Sequence, residues 1–196
     1  MPQPFSLVLT LSLAAALAGC GGKNTSGSDR SQPRKAVVAL MLAIDARDAG
    51  AVRQSFSQKA DPAYVESLLR VLAAQAKLKD AVRARAGREN AKQLDALGPV
   101  KEDIAAWQNA RESIEGDQAT VSLPGGPQLR LSREEGQWKI LADSQSDLGV
   151  ARQVLERVAA AMEQVAGELN GPRYAPLDPE RLVREVRKSV AEQIAR

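Results

Sequence analysis

The side chains that most often perform chemistry near neutral pH are scarce in this sequence. It contains no histidine and a single cysteine, Cys20. Histidine is the side chain whose ordinary pKa lies near 7, and it serves the Ser-His-Asp and Cys-His nucleophile systems and the commonest zinc sites. The composition therefore excludes those mechanisms, and we expect neither a cofactor nor a metal site.

Acid/base catalysis by a carboxylate stays open, because burial can raise the pKa of Asp or Glu into a useful range. The candidates Asp103, Asp117 and Asp143 lie near predicted strand ends or turns, where aspartate commonly forms a cap or a turn. Tyr64 lies at a predicted helix start and Tyr174 in a predicted loop. We find no Asp/Tyr arrangement typical of a catalytic site.

Helical periodicity dominates the chain before residue 98. Ser31 and Pro33 predict the cap and first turn of a helix, and Asp61-Pro62 predicts the start of a long helix that ends near Gly87. A break at residues 45–50 separates a short helix from the first one, and another short helix is predicted at residues 90–97. The first helix has one apolar face, formed by Val37, Leu40, Met41 and Ile44.

The period changes between residues 110 and 142, where apolar and polar residues alternate between turn signals. This pattern predicts a four-stranded antiparallel meander with one apolar face. We expect that face to include Ile114, Val121, Leu131 and Trp138, and we expect solvent to face Glu112, Glu115, Arg130 and Lys139.

Two further helices are predicted at the end of the chain. The first stops at Gly171-Pro172, and the second starts at Asp178-Pro179 with an apolar side and several basic residues around it. The last helix is predicted to dock on the sheet or on its predecessor, with a membrane-surface or partner-binding role as the alternative. The expected fold class is α+β: N-terminal helices on a cone-like meander, then two C-terminal helices.

The first residues carry a more specific pattern. An apolar run at residues 5–17 is followed by Leu17-Ala18-Gly19-Cys20 and then by the Gly/Ser-rich segment 21–32. This resembles the lipobox of bacterial lipoproteins. The resemblance implies cleavage between Gly19 and Cys20 and attachment of lipid to Cys20. The run is too short to span a membrane, so we expect its removal.

The expected organisation is a signal peptide at 1–19, a lipidated cysteine and flexible linker at 20–32, an α+β domain at 33–145 and a helical pair at 146–196. The linker has no apolar residue and a predicted reach of roughly 20 Å. Gly21 follows the cysteine in place of an inner-membrane-type Asp, which favours an outer membrane where one exists.

A second resemblance covers residues 33–143. The helix order and the closing segment Gly136-Gln137-Trp138-Lys139-Ile140 are similar to small exported lipoproteins with a nuclear-transport-factor-2-like, or SnoaL-like, cone. Such cones can keep a pocket, here lined by Ile114, Val121, Leu131 and Trp138. The long helical stretch at 62–97 departs from the usual layout and is a candidate to fill that pocket.

These observations predict a membrane-anchored envelope lipoprotein whose α+β module serves protein interaction or assembly and is not an enzyme. The alternative is a small-molecule-binding or carboxylate-dependent catalytic cone. The expected partners are a membrane, through the N-terminal lipid, and an unidentified envelope protein. Nucleic acid is not expected, because the basic residues are not interleaved with aromatic ones.

Overall fold

A computed structural model describes residues 29–97, 101–143 and 148–194. The fold is α+β, as predicted, with helices before and after a four-stranded antiparallel sheet. The elements in chain order are α1 (Pro33–Asp45), α2 (Ala49–Ser55), α3 (Pro62–Lys92), a 3₁₀ turn (Gln93–Leu97), α4 (Lys101–Gln108), β1 (Arg111–Glu115), β2 (Gln118–Ser122), β3 (Gln128–Glu134), β4 (Gln137–Ile140), α5 (Leu148–Glu168) and α6 (Pro179–Ile194).

The described residues form two compact units. The first unit comprises residues 29–65, 101–143 and 148, and the second comprises residues 66–97 and 149–194. The predicted division into 33–145 and 146–196 is therefore wrong for α3. Most of α3 belongs with the C-terminal helices, because its apolar residues Leu78, Val82 and Ala86 share one core with residues of α5 and α6.

Aspartate caps and proline at the first turn determine several helix starts. Asp48 Oδ1 accepts a hydrogen bond from Ala51 N at 2.9 Å, and Asp61 Oδ1 accepts one from Ala63 N at 2.9 Å. The predicted cap at Ser31 is wrong, since the residue at the cap of α1 is Gln32 and its side chain makes no capping bond. Pro33 suits the first turn because its missing N–H would have no helical partner.

The sheet is the predicted meander, with strand order β1-β2-β3-β4. Glu135 and Gly136 form the turn between β3 and β4 with φ values of 51° and 76°, as a two-residue hairpin turn requires. Helix α4, which precedes β1, was not predicted. Its buried residues, Ile104 and Trp107, are only three positions apart, and this pair is too short to show helical periodicity.

The apolar face of the sheet contains residues that lie opposite one another across the strands, such as Ala119 with Leu131 and Leu131 with Ile140. Helix α1 packs on this face. Val121, Leu131 and Trp138 are 0%, 1% and 3% exposed. They are core residues of the first unit, as their alternation with polar residues predicts.

Ile114 lies on the same face, opposite Ala119, but it is 53% exposed. It belongs to the edge strand β1, all five residues of which are exposed. Glu112, two residues away, lies on the same face and is exposed, as predicted, because it belongs to the same edge strand. Its carboxylate accepts a hydrogen bond from Arg34 N at 3.3 Å and lies 3.7 Å from the Arg34 guanidinium.

The core of the second unit is built mainly from small and medium apolar residues. Gly87, with φ 81° and ψ 169°, interrupts α3 where the sequence predicts its end. The fully buried Tyr174 hydrogen-bonds through its hydroxyl to Ser189 Oγ at 2.9 Å. Helix α6 is docked in this core, as predicted, through Leu182, Val183, Val186 and Val190.

Two arginines of α3 form hydrogen bonds that connect helices within the second unit. Arg70 of α3 binds the Glu163 carboxylate of α5 through Nε at 3.0 Å and through its terminal nitrogen at 2.8 Å. Arg85 of α3 donates to the carbonyl of Leu169, just beyond α5, and to that of Tyr174 at 3.0 Å. The Leu169 carbonyl lies at the C-terminal end of α5, where helix carbonyls lack a helical partner, and the Tyr174 carbonyl lies in the turn before α6.

The different burial of Leu131 and Ile114 gives a direct test of the first unit. Leu131→Ala should lower its free energy of unfolding by about 2–5 kcal/mol, because the change leaves a cavity in the core. Ile114→Ala should cost less than about 1 kcal/mol, the span of strand propensities at an exposed position. Urea titrations followed by tryptophan fluorescence report this unit, since Trp107 and Trp138 both lie in it. Similar losses in the two variants would contradict this packing.

Candidate functional site

The structure does not bring the predicted site residues together. Gly19 and Cys20 lie outside the described residues. The pocket prediction is wrong, because an open pocket would leave its lining accessible to solvent. Val121, Leu131 and Trp138 are almost fully inaccessible, whereas Ile114 is at the outer surface of an edge strand.

The predicted turn role fits Asp117, whereas Asp103 lies within α4 and not near a strand end. Asp117 follows Gly116 in the turn between β1 and β2, and its carbonyl accepts a hydrogen bond from Arg133 N at 2.8 Å. Asp143 forms an ion pair with Arg130 at 3.3 Å, so neither residue of this pair is a free charge. The Tyr64 ring packs edge-on against Phe56, with ring centroids 6.2 Å apart.

Two negative findings apply to the described residues 29–97, 101–143 and 148–194. Three or more Asp, Glu, Cys or His side chains nowhere approach one another closely enough to hold a metal ion. None of the helices is long and apolar enough to cross a membrane.

A polar cluster lies on the face of β3 and β4 opposite the apolar core. We call it the Glu134 cluster, formed by Ser57, Gln58, Ser132 and Glu134. Glu134 Oε1 accepts hydrogen bonds from Ser57 Oγ at 2.5 Å and Ser132 Oγ at 3.2 Å, while Oε2 accepts one from Gln58 N at 3.4 Å. Partial burial alone would raise the pKa of Glu134, but these three donors outweigh it and hold the pKa below its ordinary value.

Two cations meet at the C-terminal end of α2. Arg30 is buried, and its guanidinium donates to Gln54 O at 3.1 Å, Ala51 O at 3.2 Å and Ser55 Oγ at 3.2 Å. Lys139 Nζ donates to the same Gln54 carbonyl at 2.5 Å. Burial, followed by repulsion from Arg30, lowers the pKa of Lys139, while Glu134 and Glu135 oppose this shift. Both cations satisfy carbonyls at a helix end.

This arrangement is suited to holding segments in place and is poorly suited to proton transfer. A general acid needs a raised carboxyl pKa, and that of Glu134 is lowered. The Lys139 ammonium donates to the Gln54 carbonyl, an acceptor that favours the protonated form over the free base. The Ser57 hydroxyl donates to an anion that is itself a weak base.

The second unit has an open groove of about 390 Å³ lined by Arg173, Leu177, Arg181, Arg184 and Glu185. Arg181, Arg184 and Glu185 belong to the first turns of α6, while Arg173 and Leu177 belong to the segment before it. Arg173 lies over the Tyr174 ring, 5.4 Å from its centroid. We call this site the arginine groove. Its cations would attract an anion.

Sequence reasoning missed both cationic sites. Arg30 stands in a Gly/Ser-rich stretch assigned to the linker, and no local pattern marks it as buried. Arg181 and Arg184 were recognised only as part of the basic side of the last helix. Their proximity to Arg173 depends on the path of residues 170–178, which the sequence does not specify.

Comparison with known proteins adds no relative. No protein-family model, no curated protein and no solved structure matches this chain.

Arg30→Met tests the role of the buried guanidinium. The change removes three hydrogen bonds made by a buried charge, so the first unit should lose about 3 kcal/mol of stability, although Lys139 and Ser55 still donate to the Gln54 and Ala51 carbonyls. Arg111→Met, an exposed position in β1, should change stability by less than about 0.5 kcal/mol. Urea unfolding monitored by tryptophan fluorescence measures both. Equal effects would rule out a capping role for Arg30.

The Glu134 cluster predicts a dependence of stability on pH. Because folding lowers the pKa of Glu134, the unfolded chain takes up the proton first as the pH falls below the ordinary value of 4.5. The stabilisation is complete above that value and is lost as the pH falls through the folded pKa. In the Glu134→Gln variant, the first unit should therefore lose less stability between about pH 5 and pH 3 than it does in the wild type. Glu115→Gln, on the exposed strand β1, is the control and should keep the wild-type slope.

Proposed function

We propose that the protein is a lipid-anchored lipoprotein of the bacterial cell envelope. The observation that carries this proposal is the tetrapeptide Leu17-Ala18-Gly19-Cys20 directly after the apolar run at residues 5–17. The cysteine provides the sulfur that receives lipid, and the small residues before it suit a signal peptidase. Two or more acyl chains hold a protein on a membrane far more firmly than one, since each buried CH₂ contributes about 0.8 kcal/mol.

The position of Arg30 supports a short tether in this proposal. Its side chain binds α2, and its carbonyl accepts a hydrogen bond from Trp138 N at 3.0 Å, so the chain is fixed to the first unit at this residue. The linker predicted to extend to residue 32 is therefore shorter than expected. Over the ten residue steps from Cys20 to Arg30, a Gly/Ser-rich chain reaches roughly 17 Å. The proposal thus keeps the first unit close to the lipid surface.

We further propose that the folded part acts by protein interaction or assembly and not by catalysis. Support comes from the absence of histidine, the burial of Val121, Leu131 and Trp138 and the use of Glu134 and Lys139 in internal hydrogen bonds. The alternative, a ligand-binding or catalytic cone, needs an open pocket with a carboxylate of raised pKa. No observation favours it.

Lipidation is tested by expression in a bacterium grown with labelled palmitate, followed by mass spectrometry of the N-terminal peptide. We expect a peptide that begins at Cys20 and carries diacylglyceryl and acyl groups. Cys20→Ser should lose the label and retain residues 1–19, whereas Ser28→Ala, in the same linker, should keep both the label and the cleavage. A wild-type protein that retains residues 1–19 without lipid would refute the proposal.

A further inference from the structure

We propose that the arginine groove binds a phosphate group. Three arginines line one open depression, and Glu185 is the only acidic residue among its lining residues. Arginine stays charged at every physiological pH, and its planar fork matches two phosphate oxygens at once. This inference does not depend on lipidation of Cys20.

The three cations have donors left for a ligand. Among the residues that the structure describes, no carboxylate lies within ion-pair distance of the Arg173, Arg181 or Arg184 guanidiniums. Arg181 and Arg184 are three residues apart on α6, a spacing at which like charges repel by a few tenths of a kcal/mol. A bound anion would remove this repulsion and satisfy the free N–H groups.

Part of the groove is held in place before any ligand arrives. Arg173 lies over the ring of Tyr174, and that ring is buried and hydrogen-bonded to Ser189 of α6. Asp178 accepts a hydrogen bond from Arg181 N at 2.9 Å and so fixes the first turn of α6. The Asp178 and Glu180 carboxylates offset the positive end of the α6 dipole, so the positive potential of the groove comes from its arginines. Less side-chain freedom is therefore lost when an anion binds.

The other two lining residues, Glu185 and Leu177, indicate which substituent on the phosphate would fit. The Glu185 carboxylate repels a second anion but can accept a hydrogen bond from a hydroxyl or amine next to the phosphate. Leu177 offers an apolar contact. A phosphate ester with a small polar substituent fits this set. Such groups occur both in lipid headgroups and in soluble phosphate esters.

The test measures binding by isothermal titration calorimetry on the full chain with Cys20 replaced by Ser. The probes are inorganic phosphate, glycerol phosphate and a short-chain phosphatidylglycerol below its micelle concentration. We expect phosphate and glycerol phosphate to bind with dissociation constants of about 1 mM or tighter. Arg181→Gln/Arg184→Gln should weaken binding at least about tenfold, since each lost pair removes a charge-assisted hydrogen bond.

The matched control is Arg157→Gln/Lys188→Gln, which removes two positive charges from exposed positions of the same unit and should change affinity less than about twofold. Arg181→Lys/Arg184→Lys should restore part of the affinity, because charge without the bidentate fork remains. Absence of phosphate binding in the wild type, or equal losses in the test and control pairs, would overturn the proposal.

The same titrations distinguish the two sources of phosphate. Tighter binding of the short-chain lipid than of glycerol phosphate, with the difference lost in Leu177→Ser, identifies a headgroup site. Equal affinity for the two esters identifies a site for soluble phosphate esters. Because every variant retains the apolar residues 5–17, lipid binding to that segment cancels in the comparison.

Discussion

The first unit depends on the hydrogen bonds that Arg30 makes in two directions. Its guanidinium satisfies carbonyls at the end of α2, and its own carbonyl accepts from Trp138 N in β4. A few residues further along the edge of β4, Ser57 N donates to Ile140 O at 2.9 Å, and Phe56 pairs with Ile140 as a parallel bridge. Backbone groups of β4 that an edge strand would expose are thus paired with residues 30, 56 and 57. The connection between α2 and the sheet is fixed by the same bonds.

The opposite edge of this sheet is protected by composition. Strand β1 has the sequence Arg-Glu-Ser-Ile-Glu, and all five residues are exposed. Charged side chains on an edge oppose pairing with another strand. Glu112 is also held by Arg34 of α1, which gives the edge a fixed attachment to the helix above it. The two edges of the sheet are therefore protected differently from pairing with another strand: β4 by hydrogen bonds and β1 by charged side chains.

Local patterns in the sequence predicted much of the fold, because each element has its own signal. Asp61-Pro62 and Asp178-Pro179 mark real helix starts, and Glu135-Gly136 marks a real hairpin turn. The failures concern contacts between residues distant in sequence. Ile114 has the right alternation but belongs to the edge strand β1 and stays exposed, which the alternation alone does not reveal. The membership of α3 in the second unit depends on which helices its apolar stripe contacts. The stripe alone does not identify those helices.

The candidate sites were less predictable than the fold for the same reason. Lipidation at Cys20 rests on a contiguous tetrapeptide, which a sequence displays completely. The arginine groove is formed by residues from a loop and a helix. In the sequence these residues cannot be distinguished from an ordinary solvated basic face, because their proximity depends on the path of the loop.

The arginines of this protein divide into two kinds according to the donors that they have left. Arg30 and Arg85 each bind a carbonyl at the end of a helix, so their charge complements the helix dipole and their N–H groups are largely used inside the fold. A core poor in aromatic residues, at 3% of the chain, gains from such fixed links because small side chains bury less area per residue. Arg173, Arg181 and Arg184 are exposed, and among the described residues their guanidiniums form no ion pair, so water solvates most of their N–H groups. Exposed donors of this kind contribute little to folding and remain available to a ligand.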